Sequence, residues 1–264
     1  MSRLYEALIA SIALVYLAFF GVSLSLISLI LKPFWKALWF QRAGRQILHF
    51  LLYLFFAGLK KSKLLVLDFS AVDTLKQESG LLIIANHPCL MDALFFNSRL
   101  PDVVSVMKSE VLNNPMFYGG AKLSGFIPSN SPRDFVQKCS AILQNNAHLL
   151  LFPEGTRSKN RGVNTFKKGF AMIAREAQVP VQTVFIVANT QFLGKGWSLW
   201  RRPDFPLKYH AVLGDRFKLD ETTHYKQFAQ DLEDYFKAHL PDYQHPPVFN
   251  ESAVSHPLIT NPQL

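Results

Sequence analysis

The most constraining feature of this 264-residue chain is an apolar run near its beginning. From Ala7 to Leu31 the sequence contains no charged side chain over 25 residues. A helix rises about 1.5 Å per residue, so such a run exceeds the roughly 30 Å hydrocarbon thickness of a bilayer and can cross it with some tilt. A secretory signal peptide is the alternative, but the run is too long for one and no small-residue cleavage site follows it before Lys32. We therefore predict a membrane helix over residues 7–31.

The basic residues are concentrated beside this run. Residues 1–63 hold eight Lys or Arg and one Glu, whereas the formal net charge of the whole chain is +9. The remainder is thus nearly balanced, which argues against a nucleic-acid-binding core. All but one of the eight basic residues follow the run, so the positive-inside bias predicts that the rest of the chain lies in the cytoplasm. Two cysteines make no disulfide framework and suit that reducing compartment.

A second apolar run extends over residues 47–59. Its 13 residues are too few to cross a bilayer, so we expect a helix that is half-inserted or docked on the core. Between the two runs, Trp35, Trp39 and Phe40 lie among basic residues and indicate an interfacial anchor. We expect residues 1–63 to form a membrane-associated helical hairpin that is anchored in one leaflet.

Short apolar segments then alternate with longer amphipathic ones. The predicted strands are Leu64–Phe69, Leu81–Asn86, Val103–Lys108, Gly125–Pro128, His148–Phe152, Val181–Val187 and Lys208–Gly214. The predicted helices are Asp92–Arg99, Asn114–Leu123, Pro132–Asn145, Lys168–Ala177 and His224–Leu240. This alternation indicates an α/β fold with a mostly parallel sheet flanked by helices. We assign residues 64–240 to this domain and the proline-rich residues 241–264 to a mobile tail.

Two polar clusters directly follow predicted strands. Residues 86–92 read Asn-His-Pro-Cys-Leu-Met-Asp, and residues 153–158 read Pro-Glu-Gly-Thr-Arg-Ser. In the first cluster an imidazole and a carboxylate five positions apart can face each other across one tight turn, as a general base and its orienting acid require. Open α/β sheets place their sites just past the carboxyl ends of strands. The two clusters are therefore predicted to form one site.

Together these motifs resemble the glycerolipid acyltransferases, specifically the 1-acylglycerol-3-phosphate O-acyltransferase group. The resemblance rests on His-x4-Asp at residues 87–92 followed about 60 residues later by Phe-Pro-Glu-Gly-Thr-Arg-Ser, and it covers roughly residues 65–217. It implies an enzyme that moves a fatty acyl group to the free hydroxyl of a lysophospholipid, by default lysophosphatidic acid. The implied partners are membrane lipids and a donor, acyl-CoA or acyl-carrier protein, as co-substrate; no cofactor and no nucleic acid are expected.

The resemblance also implies roles for individual residues. His87 is the expected general base, because a thioester is already activated and the acceptor hydroxyl chiefly needs to lose its proton. Asp92 is expected to hold the other ring nitrogen and to stabilise the imidazolium. The residues expected to bind the acceptor are Glu154, Gly155, Thr156 and Arg157. A planar guanidinium can pair with two phosphate oxygens, and the Gly155 N–H is a candidate donor to the thioester oxyanion.

The sequence departs from the family between the two motifs. Members that acylate phosphate-bearing acceptors usually carry a G-x-x-F-I-D-R-like segment, whereas residues 125–130 here read Gly-Phe-Ile-Pro-Ser-Asn. Ser129 stands where the phosphate-binding arginine is expected, and Arg133 is the nearest basic residue. Either Arg133 and Arg157 bind the phosphate, or the acceptor is another lipid hydroxyl. Lys167 is expected to add to the positive electrostatic potential of the site. Residues 179–181 (Val-Pro-Val) are expected to shape the acyl pocket.

The sequence also raises alternative mechanisms and functions. Cys89 lies two residues from His87 and suggests a covalent acyl-enzyme, although the family transfers the acyl group directly. A metal site at the two motifs is not expected, because no ligand cluster has a recognised spacing. A non-catalytic membrane lipid-binding protein could keep the fold, but it would have no use for the base. A serine hydrolase would need a G-x-S-x-G elbow, which the sequence lacks.

Overall fold

The computed structural model describes residues 3–129, 134–159, 162–198, 201–219 and 223–244. The helices within these ranges are α1 (Arg3–Ile30), α2 (Leu38–Lys61), α3 (Ser70–Asp73), α4 (Asp92–Asn97), α5 (Ser109–Leu112), α6 (Pro115–Ser124), α7 (Phe135–Gln144), α8 (Gly169–Ala177) and α9 (Tyr225–Gln244). The strands are β1 (Leu65–Asp68), β2 (Leu82–Ala85), β3 (Val103–Met107), β4 (Ile127–Pro128), β5 (His148–Leu151), β6 (Val181–Ala188) and β7 (Leu207–Phe217).

The seven strands form one sheet in the order β1-β7-β6-β2-β5-β3-β4. Strands β2 to β6 all run in the same direction, whereas β7 pairs antiparallel with β6 and carries β1 parallel to itself. The predicted α/β fold with a mostly parallel sheet is therefore confirmed, and each of the seven predicted strands is present. The two reversed strands lie together at one edge.

The sheet is buried on both faces, as its near-continuous apolar strands require. In β2, Ile83 and Ala85 face a core shared with α2 and α4, whereas Leu82 and Ile84 face a core shared with α7, α8 and α9. The helices that follow β2 and β5 thus leave these neighbouring strands on opposite faces. Such a divergence opens a crevice at the carboxyl ends of the two strands, which is where ligands bind in open α/β sheets.

Helix α1 covers the predicted membrane helix and begins four residues earlier. It is the one helix of the described residues that is long and apolar enough to cross a bilayer, by length and composition. Its largest apolar side chains are mostly exposed. The helix packs closely on α6, because Gly21 and Gly119 let the two backbones approach. Ser25 completes the contact by accepting a hydrogen bond from the Gly119 N–H at 2.9 Å.

Helix α2 begins nine residues before the predicted run over residues 47–59, because its first half carries basic residues that an apolar pattern does not reveal. Arg45 is buried there and donates to Asp102 at 2.6 Å. Further along, Leu52, Phe55 and Phe56 join the core beneath the sheet. The helix is thus docked on the folded domain, and the domain boundary at residue 63 stays a prediction.

Candidate active site

The first motif begins where β2 ends, and Asn86 fixes that point. Its side chain donates to the Ile186 carbonyl at 2.9 Å and accepts from the Ile186 N–H at 2.7 Å, which replaces backbone pairing with β6. The next residue precedes a proline and therefore avoids helical backbone angles. The chain turns over Pro88 and enters α4 at Asp92, as predicted.

This turn brings the imidazole of His87 to the carboxylate of Asp92. Nδ1 of the histidine lies 2.8 Å from Oδ2 of the aspartate, and the same oxygen accepts the N–H of Cys89 at 2.8 Å. The imidazole also stacks on Phe152, with ring centroids 4.1 Å apart. The ring is therefore held both at its edge and on its face, and Nε2 is left as the nitrogen that can exchange a proton.

The carboxylate of Asp92 is completely buried. Burial raises the pKa of this carboxyl group, while the hydrogen bond from His87 and the nearby charge act in the opposite direction. A buried carboxylate is strongly stabilised by a protonated partner, because charge pairs interact more strongly in a low-dielectric environment. The buried Asp92 carboxylate is therefore placed to orient the His87 ring and to interact with any positive charge that develops on it.

The second motif is tied to the first by Glu154, which is buried rather than directed at a ligand. One carboxylate oxygen accepts the His87 N–H at 3.0 Å and the Ser158 hydroxyl at 2.5 Å. The other accepts the backbone and side-chain N–H groups of Asn164, at 2.8 and 2.6 Å. Burial raises the pKa of Glu154, whereas these hydrogen bonds lower it. Both oxygens are engaged by the chain itself, so the geometry favours a positioning role.

Arg157 is half-buried beside the histidine turn. Its Nη1 donates to the carbonyls of Leu193 and Gly194, at 2.7 and 2.9 Å. The same loop accepts the Leu90 N–H at 3.1 Å through the Leu193 carbonyl. The loop after β6 therefore aims the guanidinium and supports the first motif. Nothing in the sequence of this loop predicts either contact.

An apolar cleft of about 220 Å³ opens at the imidazole. Its apolar walls come from the first motif, β3, α4, α5 and α6, and include Leu90, Leu94, Val106, Met107, Val111, Phe117 and Phe152. Its polar lining consists of His87, Lys108, Ser129, Thr156 and Arg157 together with the backbone of Gly155. One recess thus combines a length of apolar wall with a base and two cations, which suits a lipid that carries an anionic headgroup.

The remaining predicted residues take different positions. Gly155 adopts a left-handed conformation with φ +63°, and a Cβ there would lie 2.7 Å from the ammonium of Lys167, so that lysine lies across the motif turn. The Gly155 N–H donates to the Phe152 carbonyl, so it is engaged rather than free for an oxyanion. Arg133 lies outside the described residues, as does the predicted start of the helix Pro132–Asn145.

The expectation for residues 179–181 is wrong. They lie at the amino end of β6, opposite the site, and line neither of the two cavities that adjoin the motifs. Lys108, in contrast, was missed by the sequence analysis although it lines the cleft. It directly follows β3, and the Ser129 N–H donates to the neighbouring Met107 carbonyl at 2.8 Å. A basic residue just past a strand end was the signal that could have indicated it.

Cys89 is buried at the base of the turn. Desolvation and the nearby Asp92 raise the pKa of its thiol to about 12. The thiol is therefore protonated at neutral pH and shielded from the cleft, which disfavours the covalent alternative. Among the described residues, no group of three or more His, Cys, Asp or Glu side chains is arranged to hold a metal ion.

Residues 67–187 match the family model described as Acyltransferase. These residues contain both motifs. Two curated relatives are named 1-acyl-sn-glycerol-3-phosphate acyltransferase. The protein from Cocos nucifera is 28% identical over 174 residues, which is 62% of this chain and 55% of the relative. The protein from Limnanthes douglasii is 27% identical over 173 residues, which is 62% of this chain and 60% of the relative.

A solved structure shares the fold. It is the crystal structure of the 1-acyl-sn-glycerophosphate (LPA) acyltransferase PlsC from Thermotoga maritima. The TM-score is 0.63 and the sequence identity 22%, and the alignment covers 90% of this chain and 93% of that protein. The similarity therefore extends over nearly the whole chain, whereas the sequence matches to the two plant proteins span less than two thirds of their length.

Proposed function

We propose that this chain, whose residues 67–187 match the Acyltransferase family model, is an O-acyltransferase that acylates the free hydroxyl of 1-acylglycerol-3-phosphate at a membrane surface. The observation that carries the proposal is the pairing of His87 with Asp92 at 2.8 Å on an apolar cleft that also contains Arg157. The names of the two plant relatives and of the Thermotoga maritima protein support the choice of acceptor.

In the proposed reaction His87 acts as the general base. Its Nδ1–H is donated to Asp92, so Nε2 carries the lone pair and removes the proton from the acceptor hydroxyl. The alkoxide oxygen attacks the thioester carbonyl, a C–O bond forms and the C–S bond breaks. The imidazolium then gives its proton to the departing thiolate. Asp92 stabilises the imidazolium between these two steps, and no covalent enzyme intermediate forms.

The cleft accounts for recognition of the acceptor. Its apolar wall can hold an acyl chain, because each buried methylene contributes about 0.8 kcal/mol. Arg157 and Lys108 line the polar end and supply positive charge for a phosphate. Lys108 thus offers a cation that is independent of the arginine that the sequence replaces by Ser129.

A second candidate acceptor is a lipid without a phosphate. Ser129 favours it, because a neutral hydroxyl lines the cleft at the position where family members usually carry an arginine. A charged hydrogen bond contributes about 1.5–3 kcal/mol, so its loss weakens binding roughly ten- to a hundredfold. The affinity for a phosphate-free acceptor would not be lowered in this way. The two candidates differ in how they respond to the removal of Arg157.

The test is acyl transfer from labelled acyl-CoA and acyl-carrier protein to a panel of lysolipids by the membrane-bound protein. We expect transfer to 1-acylglycerol-3-phosphate and a loss of at least about a thousandfold in kcat for His87→Ala, because the base is removed and the hydroxyl mispositioned. Lys218→Glu, an exposed change at the far end of β7, serves as the control with unchanged activity. A His87→Ala variant that keeps a tenth of the activity would contradict the mechanism.

Arg157→Ala distinguishes the two acceptors in the same assay. If the acceptor carries a phosphate, its KM should rise about tenfold or more with a smaller fall in kcat, since the contact exists in the ground and transition states alike. If a phosphate-free lipid is the preferred acceptor, its KM should stay within about twofold. That second result would favour the alternative acceptor.

A further inference from the structure

A second cavity lies on the opposite side of the two motif turns. Its volume is about 280 Å³, and it opens at the carboxyl ends of β2 and β6. Adjacent motif residues alternate between the two recesses. His87 lines the apolar cleft, whereas Asn86 and Pro88 line the second cavity; Arg157 lines the cleft, whereas Lys159 lines the second cavity. The two motifs therefore form a common wall between the recesses.

The second cavity combines cationic and neutral polar groups with apolar residues such as Ile186 and Ala188. Lys159 and Lys195 are exposed at its rim, and Thr190 and Gln191 contribute neutral polar groups. No Asp or Glu occurs among the described residues that line it. Gly162 and Gly196 are exposed in the lining, where their peptide groups are open to a ligand. Lysines beside open backbone, with no competing carboxylate, are the surroundings that phosphate esters prefer.

The loop that carries Lys195 is held in place by the catalytic motifs. Its Leu193 carbonyl accepts hydrogen bonds from the Leu90 N–H and from Arg157. At Gly194 a Cβ would lie 2.8 Å from the Gln191 carbonyl oxygen and 3.3 Å from that of Pro88, so the loop backbone fits closely against the histidine turn. The backbone next to Lys195 is therefore fixed relative to the histidine turn.

The proposed function requires a donor site that is separate from the acceptor site and close to His87. Direct transfer needs donor and acceptor at the same time, and Arg157 and Lys108 in the cleft are assigned to the acceptor. Both candidate donors carry the acyl group on a phosphopantetheine arm, which is polar, long and ends in phosphate. We propose that Lys159 and Lys195 in the second cavity bind the phosphate groups of this arm, while the thioester reaches over the common wall to His87. This assignment rests on the proposed function.

The first experiment measures CoA binding to the full-length chain in detergent by titration calorimetry. The double variant Lys159→Glu, Lys195→Glu should bind CoA at least about tenfold more weakly than the wild type. Its KM for the acyl donor should rise by a similar factor, and its KM for the acceptor should stay within about twofold. Lys218→Glu reverses the charge of an exposed lysine just past the far end of β7, and it should change none of these values. Equal CoA affinity and equal donor KM in the double variant would overturn the site.

Competition and donor-comparison experiments identify the molecule that carries the bound phosphate. Free 4′-phosphopantetheine should compete with CoA, and inorganic phosphate should compete at least about tenfold less well; equal competition by the two would overturn the assignment to the donor. If acyl-carrier protein is the better donor and its KM rises in the double variant, the site is supported with the carrier protein as its source. If the wild type acylates no lysolipid but its CoA binding still depends on the two lysines, the proposed function fails and the donor site stands.

Discussion

At the scale of single residues, the site depends on how few hydrogen-bond donors contact the carboxylate of Asp92. One oxygen binds both Nδ1 of His87 and the Cys89 N–H, whereas Oδ1 is buried and has no hydrogen-bond partner within the described structure. A buried acceptor without a partner is costly to maintain. The Asp92 carboxylate is therefore coupled to His87 through a single hydrogen-bonded oxygen.

The change Asp92→Asn tests this coupling. An amide has nearly the same shape but cannot stabilise an imidazolium or select the same tautomer of His87, so we expect kcat to fall by about a thousandfold. Both KM values should stay within about threefold, because no substrate contact is removed. The measurement is steady-state transfer with acceptor and donor varied in turn. A larger rise in acceptor KM than fall in kcat would show instead that Asp92 shapes the binding site.

The change Cys89→Ala tests the covalent alternative. Since the pKa of the thiol is raised to about 12, little thiolate exists at pH 8, and the sulfur is buried. We expect kcat to fall by less than about tenfold, the small loss coming from a weaker fit beneath the turn. We also expect iodoacetamide at pH 8 to leave the activity of the wild type largely intact. Turnover below a hundredth of the normal value would revive an acyl-enzyme.

The sequence predicts the histidine and aspartate pair because both residues lie in one seven-residue segment that a single turn can close. It also predicts that the second motif lies beside the first, since each motif directly follows a strand of a parallel sheet. It does not predict the partners of Arg157 and Glu154. Those contacts join segments that are distant in the chain, and the backbone carbonyls of residues 193 and 194 carry no side-chain signal. Asn164 was missed because it lies outside both motifs, in a segment with no helix or strand.

At the scale of elements, α6 connects the apolar helices with the cleft. One side of it packs on α1 through Gly119, and its Phe117 lines the cleft beside the imidazole. Helix α2 also packs closely on α6. A Cβ at Gly44 in α2 would lie only 2.1 Å from the Leu123 carbonyl oxygen in α6. The position of one cleft wall is therefore set by the two helices that precede the domain.

Two glycine substitutions test this connection. A Cβ at Gly119 would lie 2.2 Å from the backbone of α1, whereas a Cβ at Gly58 in α2 has no atom within 4 Å. We expect Gly119→Ala to lower the free energy of unfolding by about 1–3 kcal/mol and to reduce kcat/KM for the acceptor, since α6 must shift. Gly58→Ala should keep the activity and gain up to about 1 kcal/mol. Thermal unfolding and transfer assays in detergent provide both values; equal behaviour of the two variants would contradict the role of α6.

At the scale of the whole molecule, a strongly apolar helix packs on the domain with one side and leaves most of its large apolar side chains uncovered. The exposed side chains of α1 include Ile12 and Phe19, with 55% and 66% of their surfaces accessible. Exposed apolar surface of this extent marks a membrane contact in a chain that also presents basic and aromatic residues beside it. The proposed location is therefore a membrane.

Lysines placed on α1 test this location. The double variant Ile12→Lys, Phe19→Lys should shift much of the protein from the carbonate-washed membrane fraction into the soluble or aggregated fraction, because each lysine near the centre of a bilayer costs about 2.5–3.5 kcal/mol. Gln227→Lys with Gln230→Lys adds the same charge to exposed positions of α9 and should remain in the membrane. Equal retention of both double variants would contradict membrane insertion of α1.

The close contact of α1 with α6 has a kinetic consequence. If α1 lies in the bilayer, a rigid crossing fixes the depth of the imidazole relative to the lipid surface, and the apolar cleft opens beside the helices that touch the acyl chains. A lysolipid then arrives by lateral diffusion within one leaflet, and the product returns the same way with its tails never exposed to water. Turnover would follow the surface density of the lysolipid rather than its bulk concentration, whereas the water-soluble donor would obey ordinary three-dimensional saturation.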